Sequence, residues 1–215
     1  MALFSPSASV LVLLPPGMGS TSVQAALTAG ESADGTGFKN LGSKHSTFDE
    51  SLAELERTGF VGSNLQVWCL TRNPYALERA EWWRCRTKWV SALARRDSWI
   101  ADDRSKVREV VEACRMSFSE WVRWKLGDLV ESGCRSNFLE RYPISGVDRW
   151  LYQESLAVDF ADAIATVDLE HVELPVTNTS VYEAMAPYWQ DFDRKARSLA
   201  EFYFQPEIDF FEYRF

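Results

Sequence analysis

The sequence predicts an α/β layered domain built on a central, mainly parallel sheet flanked by helices. Three observations predict it. Two short, continuous apolar runs, Ser9–Leu14 and Leu65–Leu70, have the length and composition of strands buried on both faces. Each is followed by a turn and then by a segment with helical spacing, the alternation that produces strand–helix–strand units. The composition, 46% hydrophobic and 25% charged over 215 residues, supplies a buried core and excludes disorder as the main state. At this length a single domain covering 1–215 is expected.

The opening segment, MALFSPSASVLVLLPP, has no basic leader, and its apolar run is too short to span a membrane. Pro15 and Pro16 end the first strand. A turn of small residues follows, Gly17-Met18-Gly19-Ser20-Thr21-Ser22, and VQAAL reads as the opening turns of a helix. Residues 29–43, rich in Gly and Ser, read as a loop. Ser46 or Thr47 is placed to cap a helix over Phe48–Arg57, where Asp49 and Glu50 favour the first turn. The second strand ends at Thr71-Arg72-Asn73-Pro74, because proline takes the chain out of a sheet. Tyr75–Ala94 reads as one long helix with aromatic and basic faces. Residues 95–145 read as helical: Lys106–Ala113 and Phe118–Leu129 carry helical spacing, with Gly127 and Gly133 as ends or turns. Trp150–Tyr152 reads as a weak strand and Leu156–Ile164 as a helix. Leu174-Pro175 opens a loop through Asn178, and the last thirty residues read as helical up to Pro206.

Charge narrows the partners. The net charge is −8 with a pI near 4.9, which disfavours gripping duplex nucleic acid by its phosphates. Residues 72–96 nonetheless hold seven basic side chains against Glu78 and Glu81, and such an island suits a small polyanion. The four cysteines, Cys69, Cys85, Cys114 and Cys134, are far apart and form no CxxC pair, so neither a metal knuckle nor a disulfide framework is expected. A soluble, reducing compartment, cytoplasmic or otherwise intracellular, follows as the expectation. The nine tryptophans are read as core and interface packing, which allows a protein partner or oligomer through an aromatic surface.

Two places carry chemistry. A strand, a Gly/Ser/Thr turn and a helix together aim backbone N–H groups and a helix dipole at an anion, and the turn Gly17–Ser22 has this form. Its glycines allow close backbone approach and its three hydroxyls add hydrogen bonds. The plain alternative is an ordinary strand-to-helix connection with a Ser/Thr cap. The nucleotide-kinase loop GxxxxGK[ST] is absent, since the lysine and the spacing are missing. Arg72, directly after the second strand, lies where open α/β sheets bind ligands, beyond the carboxyl ends of the strands. Its alternative is a solvated arginine at a helix start.

Six segments in order extend these two: LLPPGMGSTSV, KHSTFDESLAEL, LQVWCLTRNPYALERAEWW, VDRWLYQESLAVDF, ELPVTNTS and YWQDFDRKARSLAEFYFQPEIDFFEYRF. With their aromatic D-x-F-x-Y-x-F close (Asp209, Phe211, Tyr213, Phe215), they resemble the carbohydrate-type sulfotransferases, residues 95–145 least. The resemblance implies a P-loop-like three-layer sandwich and use of 3′-phosphoadenosine 5′-phosphosulfate, without a metal. It implies transfer of a sulfuryl group to a hydroxyl of a sugar or another small acceptor, leaving 3′,5′-adenosine bisphosphate. Gly17, Met18, Gly19, Ser20, Thr21 and Ser22 would then cradle the 5′-phosphosulfate, and Arg72 would meet the 3′-phosphate. His45, in the KHST block, would be the base on the acceptor hydroxyl, a role that suits a side chain titrating near neutral pH. Its alternative is a surface or capping histidine; His171 is read as structural.

The chain also departs from that family. Gly17, or Pro16 in a register shifted by one, stands where the family carries a loop lysine, and loss of such a charge donor costs on the order of a hundredfold in rate. Ala80 stands for a serine that shares the 3′-phosphate, and Tyr152 for an arginine in a block that keeps Glu154 and Leu156. Lys44, Arg79 and Lys88 are the candidates to replace the missing charge. The alternative function is a non-catalytic module of this fold, a structural or assembly component of a larger complex or particle.

Overall fold

The computed structural model describes residues 2–29, 37–43, 46–60, 64–95, 97–167, 172–175 and 187–215. In chain order the elements are β1 (Ala2–Ser5), β2 (Val10–Leu13), α1 (Ser20–Thr28), β3 (Lys39–Leu41), α2 (Phe48–Arg57) and β4 (Gln66–Thr71). There follow α3 (Pro74–Arg84), a π-helical turn (Cys85–Trp89), α4 (Val90–Leu93), α5 (Trp99–Asp102), α6 (Arg104–Arg115) and α7 (Phe118–Glu131). The last are α8 (Phe138–Arg141), β5 (Arg149–Tyr152), α9 (Leu156–Ala165), α10 (Arg194–Tyr203) and α11 (Gln205–Phe211). They form two compact units, one of residues 1–72 and 137–179, the other of 73–136 and 180–215.

The first unit is α/β, and its five strands lie in the order β3-β1-β2-β4-β5. The sheet is mixed, which corrects the expectation of a mainly parallel one: β2, β4 and β5 are parallel, whereas β1 is antiparallel to both β2 and β3. The reason is the connection. Residues 6–9 join β1 to β2, and so short a link permits only an antiparallel pair, since a parallel pair needs a crossover of a dozen residues or more. Ser5 Oγ accepts from the Ala8 N–H at 3.3 Å inside that turn, and Ser9 takes a φ of 53° to complete it. Every residue of β2 is fully buried, as a strand covered on both faces requires. Phe4, Leu11, Leu13, Val67 and Cys69 point to one face, where they pack with Leu41, Leu55 and Tyr142. The alternate set, Leu3, Val12, Trp68 and Leu70, is buried on the other. α2 starts at Thr47, whose side chain accepts from the Glu50 N–H while Glu50 returns the bond, a closed capping box.

The second unit is helical. Its core gathers Tyr75, Trp82, Val110, Trp121, Leu126 and the small residues Ala196 and Ala200, which sit one turn apart on α10 and let it approach α7 closely. Asn73 accepts from the Tyr75 N–H, and Pro74 occupies the helix start where its missing donor costs nothing. Asp103, Ser117 with Glu120, and Asp193 cap α6, α7 and α10. Arg86 closes the other end of α6 by donating to the carbonyls of Ala113 and Cys114 at 2.7 and 3.3 Å. The expected helix Tyr75–Ala94 is interrupted by the π turn. Gly127 lies inside α7 rather than at an end; a Cβ there would meet none of the described residues within 4 Å, so the helix runs through it at a small propensity cost. Pro206 opens α11 instead of ending the helical tail, because the first turn tolerates proline. No described helix is long and apolar enough to cross a membrane.

Candidate functional site

Parallel registration sets the site. Leu13 lies beside Cys69, and Cys69 beside Trp150, so β2, β4 and β5 all end on one edge of the sheet. That edge, beyond the carboxyl ends of parallel strands, is where open α/β sheets take ligands. Three connections emerge there: the glycine turn after β2, Arg72 after β4, and the turn Gln153–Ser155 between β5 and α9.

The glycine turn owes its shape to its backbone. Gly17 and Gly19 adopt φ of 83° and 85°, left-handed values that glycine alone adopts without strain. Gly19 is the N-cap of α1, and the N–H groups of Ser22 and Val23 close the first turn on its carbonyl at 3.0 and 3.3 Å. A Cβ on Gly19 would fall 2.6 Å from Leu156 Cδ2, so the loop passes against the start of α9. Met18 is buried and anchors the loop in the core, and Ser22 is buried behind it, while Thr21 is exposed and Gly17, Gly19 and Ser20 are half-buried. Ser20 donates its hydroxyl proton to the Pro15 carbonyl. Arg72, only 8% exposed, donates from Nη1 to the Gly17 carbonyl at 3.1 Å.

The start of α1 differs from that of its neighbours. No side chain caps it and no acidic residue lies in its first turn. The other described helices of eight or more residues each have a side-chain cap or a first-turn carboxylate. The positive end of the α1 dipole therefore has neither a side-chain cap nor a carboxylate of its own first turn, and it lies beside a buried guanidinium, an arrangement that favours an anion at the loop.

The structure brings Gly17–Ser22 and Arg72 together. His45 and Lys44 lie outside the described residues, as does His171. Arg79 is buried in the helical unit and ion-paired with Asp191, Nε to Oδ2 at 2.7 Å; Lys88 is exposed on the π turn. The Tyr152 N–H donates to Asp159, which also accepts from Ser155 at the start of α9.

Sequence reasoning passes over a second cluster. Lys125 on α7 donates to both oxygens of Glu78 at 2.8 Å and to Glu81 at 2.9 Å, and Lys106 on α6 meets Glu81 at 3.0 Å and Glu109 at 2.5 Å. Burial raises the Glu78 carboxyl above its ordinary value despite Lys125. Burial acts the same way on Glu81, but two ammonium groups outweigh it and hold that carboxyl at about 2. Each ammonium also faces an indole, Lys106 over Trp89 and Lys125 over Trp121, both at 4.8 Å. Among the described residues no three His, Cys, Asp or Glu side chains gather as a metal site.

No family model, characterised protein or solved structure matches this chain. The functional reading therefore stands on the strand-end loop and on the motifs that surround it.

Proposed function

We propose that the chain transfers a sulfuryl group from 3′-phosphoadenosine 5′-phosphosulfate to a hydroxyl of a sugar or another small acceptor. The observation that carries this reading is the uncapped α1 N-terminus, shaped by two left-handed glycines, beside the buried Arg72 at the ends of parallel strands. When bound, the nucleotide supplies the sulfuryl group and a phosphate leaving group. The backbone of Gly17–Ser22 holds the 5′ end, and the fixed N–H groups offset the negative charge that grows on the leaving oxygen. Arg72, fixed beside the loop by its bond to Gly17, holds the 3′-phosphate through its guanidinium. His45 takes the proton of the acceptor hydroxyl.

A second reading draws on the same loop. Ser20 closes onto Pro15 and Arg72 onto Gly17, so the loop is braced from within and from the end of β4, as a structural or assembly module would need. Calorimetric titration of 3′,5′-adenosine bisphosphate, with 5′-AMP as control, separates the two. Transferase function predicts micromolar binding that requires the 3′-phosphate and is lost in Arg72→Ala. Unchanged affinity in that variant removes Arg72 from the site. No binding by the wild-type chain at millimolar nucleotide, with Arg72→Ala merely less stable, establishes the brace and overturns the transferase.

A further inference from the structure

The helical unit holds a cavity of about 480 Å³, within the usual range for small-molecule sites, and all its lining residues belong to that unit. α10, α11 and the C-terminal segment line it, together with Tyr75 from α3. Tyr75 is 2% exposed, its ring stacked on Tyr188 at 6.2 Å and met edge-on by Phe192 and Phe215 at 5.6 and 5.0 Å. Its backbone N–H is satisfied by Asn73, but its hydroxyl has no hydrogen-bond partner among the described residues. The ring is buried, but the hydroxyl oxygen lines the cavity and stays open to whatever enters it.

The other polar groups there are mostly donors. Arg197 lies over the Phe215 ring at 4.0 Å, held by its Nε to Glu201 at 2.6 Å, and no further hydrogen bond or ion pair among the described residues occupies its Nη groups. Arg214 is exposed and its side chain pairs with no described carboxylate, while its carbonyl is fixed by Asn73 and Tyr188 at 3.3 and 3.0 Å. Glu201, the carboxylate of the lining, is already given to Arg197. Burial, with Glu201 nearby, raises the Tyr75 phenol above its ordinary value, so it keeps its proton and acts as a donor. Two guanidinium groups and a phenol, set among Tyr213 and Phe215, match an acid group on a flat apolar body.

From this juxtaposition of a phenol that lines the cavity without a protein partner, two arginines and aromatic walls, we propose that the cavity binds a small aromatic carboxylate. The test uses the full chain with 2-naphthoate as probe, and 2-naphthamide and acetate as controls, read by titration calorimetry. The expected result is saturable 2-naphthoate binding with the amide and acetate at least roughly tenfold weaker, as loss of the charge or of the ring requires. Arg214→Ala should weaken binding about tenfold and Tyr75→Phe about fivefold. Tyr75→Phe should leave the melting temperature unchanged, because the hydroxyl removed has no partner in the protein. Equal affinity for the amide overturns the proposal, as does wild-type affinity in both variants or no binding at millimolar probe.

Discussion

Gly19 has a φ of 85°, and a methyl group on its Cα would lie 2.6 Å from Leu156 Cδ2; Gly59 has a φ of 79°, and a methyl group there would meet none of the described residues within 4 Å. The pair separates backbone strain from collision. Gly59→Ala should cost only the left-handed penalty of about 1–2 kcal/mol, whereas Gly19→Ala should add about 1–3 kcal/mol of overpacking. Urea midpoints measure both, and equal losses would show that Leu156 yields without cost. At this scale the glycine turn was legible in the sequence, since small residues after an apolar run announce positive φ, and an arginine at a strand end announces its position. The Glu78, Glu81, Lys106 and Lys125 cluster was not legible. Its partners sit on three different helices, and periodicity shows which residues turn inward but not which of them meet. The role of His45 remains with the motif that suggested it, outside the described residues.

Among the elements, α3, α6 and α7 are joined by those charges, and the acid limb of stability should report it. The folded Glu81 carboxyl sits at about 2, below an unfolded value of about 4.3. A depressed folded value contributes stability that is present above the unfolded value and lost as pH falls from about 4 to about 2. Glu78 acts in the opposite sense, because its raised value makes ionisation unfavourable as pH rises through it. Glu81→Gln should therefore flatten the fall in urea midpoint between about pH 5 and pH 2.5, and a limb as steep as the wild type would remove Glu81 from the linkage. The sequence foretold β2, β4, α2 and α7 well, because continuous apolar runs, Thr47 with Glu50, and helical spacing are local signals. It passed over β1, which is four residues long, and β3, a short and largely exposed strand at the sheet edge with no apolar run. β1 exists because β2 supplies a ladder, and β3 because β1 in turn supplies one, which are tertiary causes.

For the molecule as a whole, the net charge of −8 predicts that a mixed-sequence DNA duplex does not bind at about 0.1 M salt. Fluorescence anisotropy checks this, and binding that falls steeply with added salt would show that the basic residues of 72–96 act as a phosphate surface after all. The α/β class was readable from the alternation of strand and helix. The division into two units was not, since it depends on contacts between segments far apart in the chain. That division also bears on how the protein is made. The chain leaves the sheet unit after Arg72 and returns at Asn137, so β4 is synthesised long before β5, its neighbour on one side. At ordinary elongation rates the ribosome needs on the order of ten seconds to deliver the missing strand. Throughout that interval the nascent sheet carries Trp68, Cys69 and Leu70 on an unpaired edge, the kind of surface that recruits other chains. Molecular chaperones would be needed most at that stage of translation, and slower elongation through α3–α8 should lower the soluble yield.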